Sequence, residues 1–220
     1  MERKSFALEG KKLSVKSGNS RVEVMAADVK DVEVSRQVDG WVVFGSGPHA
    51  VWKMEQGVLT LDVDCDGVAS DCQASHVVKV PRGVAVDVED GNGDVLAHGF
   101  DTDLGLRSEN GRVTVRDVTG ALRLDSGNGQ VVVEKSSPSS VVANADNGQV
   151  RLRFDAPPRS VDVVSDNGEV LVELPGKGPY AVDARSENGD VRVDVPTDPA
   201  SAHVVKARSD NGTVAVRGVN

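Results

Sequence analysis

The sequence predicts an all-β protein wound as a right-handed β-solenoid of about seven to eight short coils, with an irregular N-terminal cap. Three observations lead to this prediction. An Asn-Gly motif recurs along the chain, apolar side chains alternate with a period of two on both flanks of each copy, and helical spacing is absent almost everywhere. Alternation with that period is typical of strands that bury one face. The right hand follows from the usual handedness of crossover connections.

The repeated motif reads Ser-x-Asn-Gly-x-Val-x-Val in its fullest form, as at 108–115. Its predicted corners are Asn92-Gly93, Asn110-Gly111, Asn128-Gly129, Asn147-Gly148, Asn167-Gly168, Asn188-Gly189 and Asn211-Gly212, and the step between successive Asn residues lengthens from 18 to 23. A period near 20 residues indicates stacked units that cannot bury their apolar faces alone. Apolar residues lie four and six positions before each Asn and three and five positions after it, so each copy supplies two strands.

Two turn geometries could generate these copies. Asn-Gly between alternating strands is a strong hairpin signal, because both residues tolerate the positive φ of a type I′ turn. A hairpin would, however, place like charges opposite each other, for example Arg185 against Arg192. A solenoid corner stacks acids instead, at Asp146, Asp166, Glu187 and Asp210. Charges at a splayed corner are better solvated than charges in the middle of a ladder, so the sequence favours the solenoid.

Residues 1–80 are predicted to form the N-terminal β cap region and 81–220 the regular repeats, within one continuous domain. The cap region contains one degenerate repeat, in which Leu13, Val15, Val22 and Val24 surround Asn19. Candidate strands follow at 32–38, 41–44, 50–54, 58–63 and 76–80. Bulkier residues, including both tryptophans, are typical of a cap that covers the first unpaired edge, although a binding face is the alternative.

Cys65 and Cys72 are the two cysteines of the chain, and they flank a Gly/Ser/Asp loop. The spacing lacks a CxxC pattern, so a zinc site is weakly supported. A structural disulfide between them fits the loop better and would imply an oxidising compartment. Two free buried thiols are the alternative. The overlapping run Asp62–Gly67 opens like a calcium loop, but Gln73 stands where a bidentate Glu is needed.

Composition argues against several classes of partner. The net charge of −9 argues against nucleic-acid backbones and anionic membrane surfaces. No apolar run reaches the length of a membrane span, and residues 1–20 lack the apolar stretch of a signal peptide. Aromatic residues make up only 3% of the chain, which suits a narrow interior lined by valine better than a large ligand pocket.

The motifs in the sequence predict no catalytic residue, no cofactor and no metal site. The four histidines fall in unrelated contexts, and no nucleophile elbow, P-loop or zinc-protease motif occurs. Gly91-Asn92-Gly93 resembles part of a phosphate loop but no helix follows it. The corner acids could bind cations or a basic partner, and a solubilising edge is the plainer interpretation. The Ser and Asn columns are interpreted as scaffold, because stacked amides and hydroxyls can bond from coil to coil.

The segment Val78–Val86, which reads Val-Lys-Val-Pro-Arg-Gly-Val-Ala-Val, feeds the serial repeats. On these motifs the chain resembles a bacterial family of β-strand-repeat proteins regarded as candidate adhesins, a domain of unknown function. The resemblance covers 76–218, with a weaker match at 5–35. The loop with Cys65 and Cys72 is similar to envelope lipoproteins of high-GC actinobacteria, which implies a surface-tethered protein whose signal peptide and lipidated Cys are absent from this sequence. The family supplies no catalytic residues.

The resulting expectation is a non-enzymatic repeat scaffold of the cell envelope or the extracellular space, an adhesin or interaction module. Its expected partner is a protein or a cell-wall glycan, with membrane contact through a lipid anchor only. Self-association through an open C-terminal coil at Val214–Val216 is a further expectation. The alternatives are a carbohydrate-active enzyme on a β-helix, an envelope-stress sensing or assembly element, and a cytoplasmic location.

Overall fold

The computed structural model describes residues 1–45, 49–64, 67–176 and 178–219. For residues 40–45, 64 and 67–72 it describes the backbone only. The described residues form 21 strands and no α-helix. In chain order the strands are β1 (Glu2–Phe6), β2 (Lys12–Ser17), β3 (Ser20–Ala27), β4 (Val32–Gly45), β5 (His49–Glu55), β6 (Val58–Asp64), β7 (Gly67–Pro81), β8 (Ala85–Asp90), β9 (Val95–His98), β10 (Leu104–Ser108), β11 (Val113–Arg116), β12 (Leu122–Ser126), β13 (Val131–Ser136), β14 (Ser140–Ala145), β15 (Val150–Phe154), β16 (Ser160–Ser165), β17 (Val170–Pro175), β18 (Ala181–Ser186), β19 (Val191–Asp194), β20 (Val204–Ser209) and β21 (Val214–Val219).

Successive copies of the repeat stack as parallel coils with two sides. One strand of each coil joins an 11-stranded sheet, here called sheet A, and the other joins a 10-stranded sheet, called sheet B. Equivalent positions pair directly, as Leu104 does with Leu122 in sheet B and Val113 with Val131 in sheet A. The prediction of an all-β, β-solenoid-like stack is therefore confirmed, and the hairpin alternative is wrong.

The core is a thin layer of valine, leucine and alanine between the two sheets. The inward positions of a middle coil, such as Leu122, Leu124, Val131 and Val133, are 0 to 3% exposed. Burying a side chain of this size contributes about 1.5–3 kcal/mol relative to leaving it exposed. Because every second residue of each strand joins this layer, the period-two pattern and the core are the same feature.

The corner glycines are needed for close stacking and not for a positive φ. No corner Asn or Gly is among the described residues with positive φ, which are Gln56, Asp117, Lys135 and five glycines outside the corners. A Cβ placed on Gly129 would lie 1.9 Å from the carbonyl oxygen of Gly111 in the preceding coil. The tolerance of Asn-Gly for positive φ is thus the wrong reason for the motif, and the short distance between corner backbones is the right one.

The last coil of the chain is not the last coil of the stack. In both sheets the coil of β20 and β21 lies between the coil of β16 and β17 and the coil of β18 and β19. Val214–Val216 are therefore paired on both sides, with β17 and with β19. The expectation that Val214–Val216 form an open edge is wrong, since a long connection after β19 lets the chain return inside the outermost coil.

The N-terminal end shows the same exchange of order. The degenerate repeat of β2 and β3 stacks directly on β8 and β9, and β6 and β7 lie outside it. Its predicted inward residues Leu13, Val15, Val22 and Val24 are fully buried. β4 then runs antiparallel along β7, and β1 and β5 close the two sheets as antiparallel edge strands.

Two predicted features lie outside the described residues. The structure does not describe Cys65 or the side chain of Cys72, so the disulfide stays a prediction. The same holds for the calcium-like run, which includes the undescribed residue 66. Within the described part of the chain, no helix has the length and apolar character that a membrane crossing requires.

Candidate interaction surface

The corner asparagines form one continuous ladder of amides. Each corner amide from Asn92 onward donates from Nδ2 to the Oδ1 of the Asn in the neighbouring coil, at 2.5 to 3.1 Å, and Asn19 accepts at the end of the ladder. The ladder runs through Asn19, Asn92, Asn110, Asn128, Asn147, Asn167, Asn211 and Asn188, in that order. The structure thus brings all seven predicted corners together, and it adds Asn19 of the degenerate repeat.

A serine stands two positions before five of the seven predicted corner Asn residues, and its hydroxyl donates to a carbonyl of the neighbouring coil. In the coil of β10, Ser108 Oγ accepts from the N–H of Gly111 at 2.8 Å and donates to the carbonyl of Gly93 in the preceding coil at 2.9 Å. Equivalent bonds to the preceding coil are made by Ser126, Ser165, Ser186 and Ser209. In each of these serines the hydroxyl proton is committed to a carbonyl of the neighbouring coil, which is a structural role.

A polar groove runs along the sheet B side of the ladder, where three coils meet. Its lining includes Arg107, Glu109, Asn110, Asp125 and Asp146. Asn144 donates to the Asp125 carboxylate at 2.8 Å, so neighbouring coils share hydrogen bonds across the floor. The groove therefore presents guanidinium and amide donors beside carboxylate acceptors, and we refer to it below as the corner groove.

The corner acids form the ridge that repetition predicts, with a changed order. Because the last coil is inserted, the ridge runs Asp146, Asp166, Asp210, Glu187. Arg185 and Arg208 are neighbours in sheet B, as they would be if the coils followed chain order. Asp183 lies between them, at 2.7 Å from Arg185 and 3.8 Å from Arg208, which offsets the repulsion of the two cations.

A buried polar cluster lies near the N-terminal end, and it was not predicted from the sequence. It joins Ser17, Ser20, His76 and Asp90, with Ser17 Oγ at 2.6 Å from Ser20 Oγ and His76 Nδ1 at 3.0 Å from Ser20 Oγ. Among the described residues, His76 Nε2 and Asp90 Oδ2 have no hydrogen-bond partner. The one available signal was Asp90, which occupies the position that Ser holds in most other repeats.

Burial governs the protonation of this cluster. Desolvation, assisted by the positive charge of Arg36, lowers the pKa of His76 to about 4, so the imidazole is neutral at neutral pH. Desolvation also raises the pKa of the Asp90 carboxyl, although hydrogen bonds from Ser17, Gly93, Asn92 and Ser20 oppose it. His76 is 1% exposed and Asp90 3%. Groups enclosed to this degree cannot meet a substrate from solution.

A second buried carboxylate, Glu173 on β17, is fully paired. Arg217 reaches it at 2.8 Å and Arg151 at 3.2 Å, from the strands on its two sides. Burial alone would raise the pKa of Glu173, but the hydrogen bonds and charges of the two arginines outweigh it and hold the pKa below its usual range. This triad connects the middle of sheet A to the inserted β21.

The described residues contain no group of three or more His, Cys, Asp or Glu side chains placed to hold a metal ion. The arrangement can form many hydrogen bonds to a polar ligand along the corner groove, and it holds its serines and asparagines in bonds between coils.

Comparison with known proteins gives the family. A family model described as Toastrack DUF4097 matches residues 8–217. The chain belongs to this family. The match extends the resemblance seen in the repeats to the N-terminal region, and it confirms the predicted membership in a β-strand-repeat family of unknown function. No curated protein matches the sequence.

Two solved structures resemble the Toastrack chain along its whole length. A candidate adhesin of Parabacteroides merdae superimposes with a TM-score of 0.55 at 13% identity, over 100% of this chain and 96% of that one. A candidate adhesin of Bacteroides fragilis gives a TM-score of 0.50 at 12% identity, over 99% and 96%. At these identities the likeness concerns the fold.

Proposed function

We propose that this Toastrack chain is a non-enzymatic interaction scaffold that acts at the cell surface or outside the cell. The observation that carries the proposal is that the polar side chains of the repeat either bond neighbouring coils together or form an extended surface. Ser and Asn at the corners are bonded from coil to coil, and charged side chains in successive coils form an extended polar surface. The description of both fold neighbours as candidate adhesins supports the same role.

The corner groove is the surface that we propose for binding, and a cell-wall glycan is the ligand class that suits it. Sugar hydroxyls both donate and accept, and the groove offers the donor Arg107 beside the acceptors Glu109 and Asp125. Aromatic side chains for stacking on sugar rings are scarce in the chain. We therefore expect weak binding at one groove, strengthened when several copies bind the same polymer.

Three finer features belong to the same proposal. The coils are wound right-handed, and they number about seven to eight. The protein is attached to the cell envelope by a lipid anchor, as in the lipoproteins to which the sequence is similar. Metabolic labelling of the protein in its native host with a fatty-acid analogue tests the anchor.

The binding proposal is tested with purified protein on isolated cell walls and on a glycan array. The variant Arg107→Ala with Asp125→Ala removes one donor and one acceptor from the corner groove. The matched control, Arg153→Ala with Asp155→Ala, makes the same change at exposed positions near sheet A. We expect binding by the wild type and by the control, and loss of binding in the groove variant.

Two results would overturn the proposal. Equal binding by both variants would exclude the corner groove. Release of shorter glycans during the incubation, measured by mass spectrometry, would show an enzyme and contradict the non-enzymatic scaffold.

A further inference from the structure

The C-terminal end of the stack has two strand edges without a neighbouring strand in the described residues. β18 pairs only with β20, and β19 only with β21. The N–H and C=O groups of successive residues in a strand point to opposite sides. Because Val214 N–H donates to the carbonyl of Asp190 at 2.9 Å, the backbone groups of Val191 and Val193 point away from the stack.

The apolar layer is also uncovered at this end. Val191 is 42% exposed and Val193 38%, whereas Val131 and Val133, in the same positions of a middle coil, are fully buried. An unpaired edge beside an exposed apolar layer favours the addition of another strand.

The N-terminal end is protected differently. There β1 and β5 run antiparallel to their neighbours and close the two sheets. On β1, the ammonium group of Lys4 lies over the rings of Phe6, at 4.8 Å, and Trp52, at 6.0 Å. A lysine placed on the edge in this way opposes pairing with a further strand.

The charged residues at the C-terminal end of one copy can pair with the same residues of a second copy. On the β18 side, Arg185 stands between two acids at alternate positions, and on the β19 side Arg192 does so. The acids are Asp183 and Glu187 for the first arginine, and Asp190 and Asp194 for the second. Residues two apart lie on the same face of a strand. Two identical strands can pair antiparallel about a two-fold axis that passes through the residue just before or just after the Arg. Each Arg then lies opposite an acid of the second copy.

We propose that this end, formed by β18 and β19, is a self-association surface that binds the same end of a second copy. The two copies meet head to head about a two-fold axis, with antiparallel edges and arginines opposite acids, and they cover the exposed Val191 and Val193. Such a closed contact uses the same patch on both chains. The surface replaces Val214–Val216 as the place where copies meet, and it does not depend on the glycan-binding proposal.

The geometry indicates that this contact is weak and reversible. β19 has only four residues. At Tyr180 the outer edge is already occupied, because the Tyr180 N–H donates to the carbonyl of Pro196 at 2.9 Å and its carbonyl accepts from Asp198 at 3.0 Å. The free edge is therefore short, and a short edge supplies few new hydrogen bonds.

Sedimentation velocity from micromolar to millimolar protein tests the proposal. The wild type is expected to shift from monomer to dimer. The double variant Arg185→Glu, Arg192→Glu places acid opposite acid, and its dissociation constant should rise by about tenfold or more. Val193→Lys should act in the same direction by charging the apolar layer. The matched control Arg123→Glu, Arg153→Glu makes the same charge change elsewhere on the two sheets and should dimerise like the wild type.

Hydrogen exchange provides the second measurement. We expect the amides of Val191 and Val193 to become protected as the protein concentration rises. A monomer at all concentrations, a dimer that survives both edge variants, or open-ended growth into longer oligomers would each overturn the proposal. Unchanged circular dichroism in the variants shows that loss of the dimer is not loss of the fold.

Discussion

The middle of the stack and its two ends are built from the same repeat but are connected differently. From β10 to β15, each coil lies between its neighbours in the chain. At each end, one coil is inserted between two others out of chain order, namely β2 with β3 and β20 with β21. The repeat therefore specifies the shape of a coil, and the connections specify its place. An inserted coil has parallel partner strands on both sides, whereas in the described residues the outermost C-terminal coil, β18 with β19, pairs with the inserted coil alone.

Replacing a corner glycine should give the largest effect and should separate middle from end. In Gly129→Ala the new Cβ would lie 1.9 Å from the carbonyl oxygen of Gly111, with coils fixed on both sides, and we expect a loss of about 3 kcal/mol. In Gly189→Ala the corresponding distance to Gly212 is 2.3 Å. The outermost coil can move outward, so we expect about half that loss. Urea unfolding measures both.

The control for the glycine pair is Gly218→Ala, where the nearest atom would be 3.7 Å away and the cost should stay within about 0.5 kcal/mol. Equal losses in Gly129→Ala and Gly189→Ala would show that the outermost coil is held as rigidly as the middle.

The N-terminal end should depend on pH through His76. The pKa of His76 is lowered from 6.5 to about 4 in the folded protein, so the unfolded chain binds the proton more readily. Stability from this residue is fully present above pH 6.5 and is lost as the pH falls toward 4, up to about 3 kcal/mol. We expect His76→Gln to have a flatter pH profile of unfolding free energy than the wild type.

The exposed variant His49→Gln is the control for His76, and it should keep the wild-type slope. Because the raised pKa of Asp90 acts in the opposite direction, the comparison is made between variants at each pH. A wild-type slope in His76→Gln would contradict the assignment.

The attachment of the inserted C-terminal coil to the middle should depend on Glu173. In Glu173→Gln the carboxylate that holds both Arg151 and Arg217 loses its charge, and we expect a loss of about 2 kcal/mol. The control Glu134→Gln removes a more exposed carboxylate that contacts Arg116 at 2.6 Å, and should cost about 0–1 kcal/mol. Chemical denaturation at neutral pH compares them. Equal losses would show that burial of the triad adds nothing.

Much of the coil geometry could be predicted from the sequence, because the period-two pattern specifies which residues point inward. Leu13 and Val22 of the degenerate repeat were identified in this way. The order of the coils could not be predicted, since every copy offers the same pairing positions. Val205 pairs with Val161 on one side and with Val182 on the other. Pattern alone cannot distinguish that arrangement from the serial one.

The buried polar cluster was beyond the sequence for a similar reason. His76 lies beside Ser20 because β7 pairs with β3, and beside Arg36 because β4 runs antiparallel to β7. Neither pairing leaves a local signal. The corner groove was only partly visible, because column positions were predicted but the meeting of three coils depends on their stacking.

Engineered disulfides test the insertion of the last coil most directly. In a background with both native cysteines replaced by serine, Val164→Cys is combined with either Arg208→Cys or Arg185→Cys. Residue 208 lies directly opposite 164, and 185 lies one strand further away. Adjacent strands are about 4.8 Å apart, within reach of a disulfide, whereas a pair separated by a strand is not. We predict that oxidation links 164 to 208 and not to 185. A link from 164 to 185, without one to 208, would show serial coils and contradict the inserted coil.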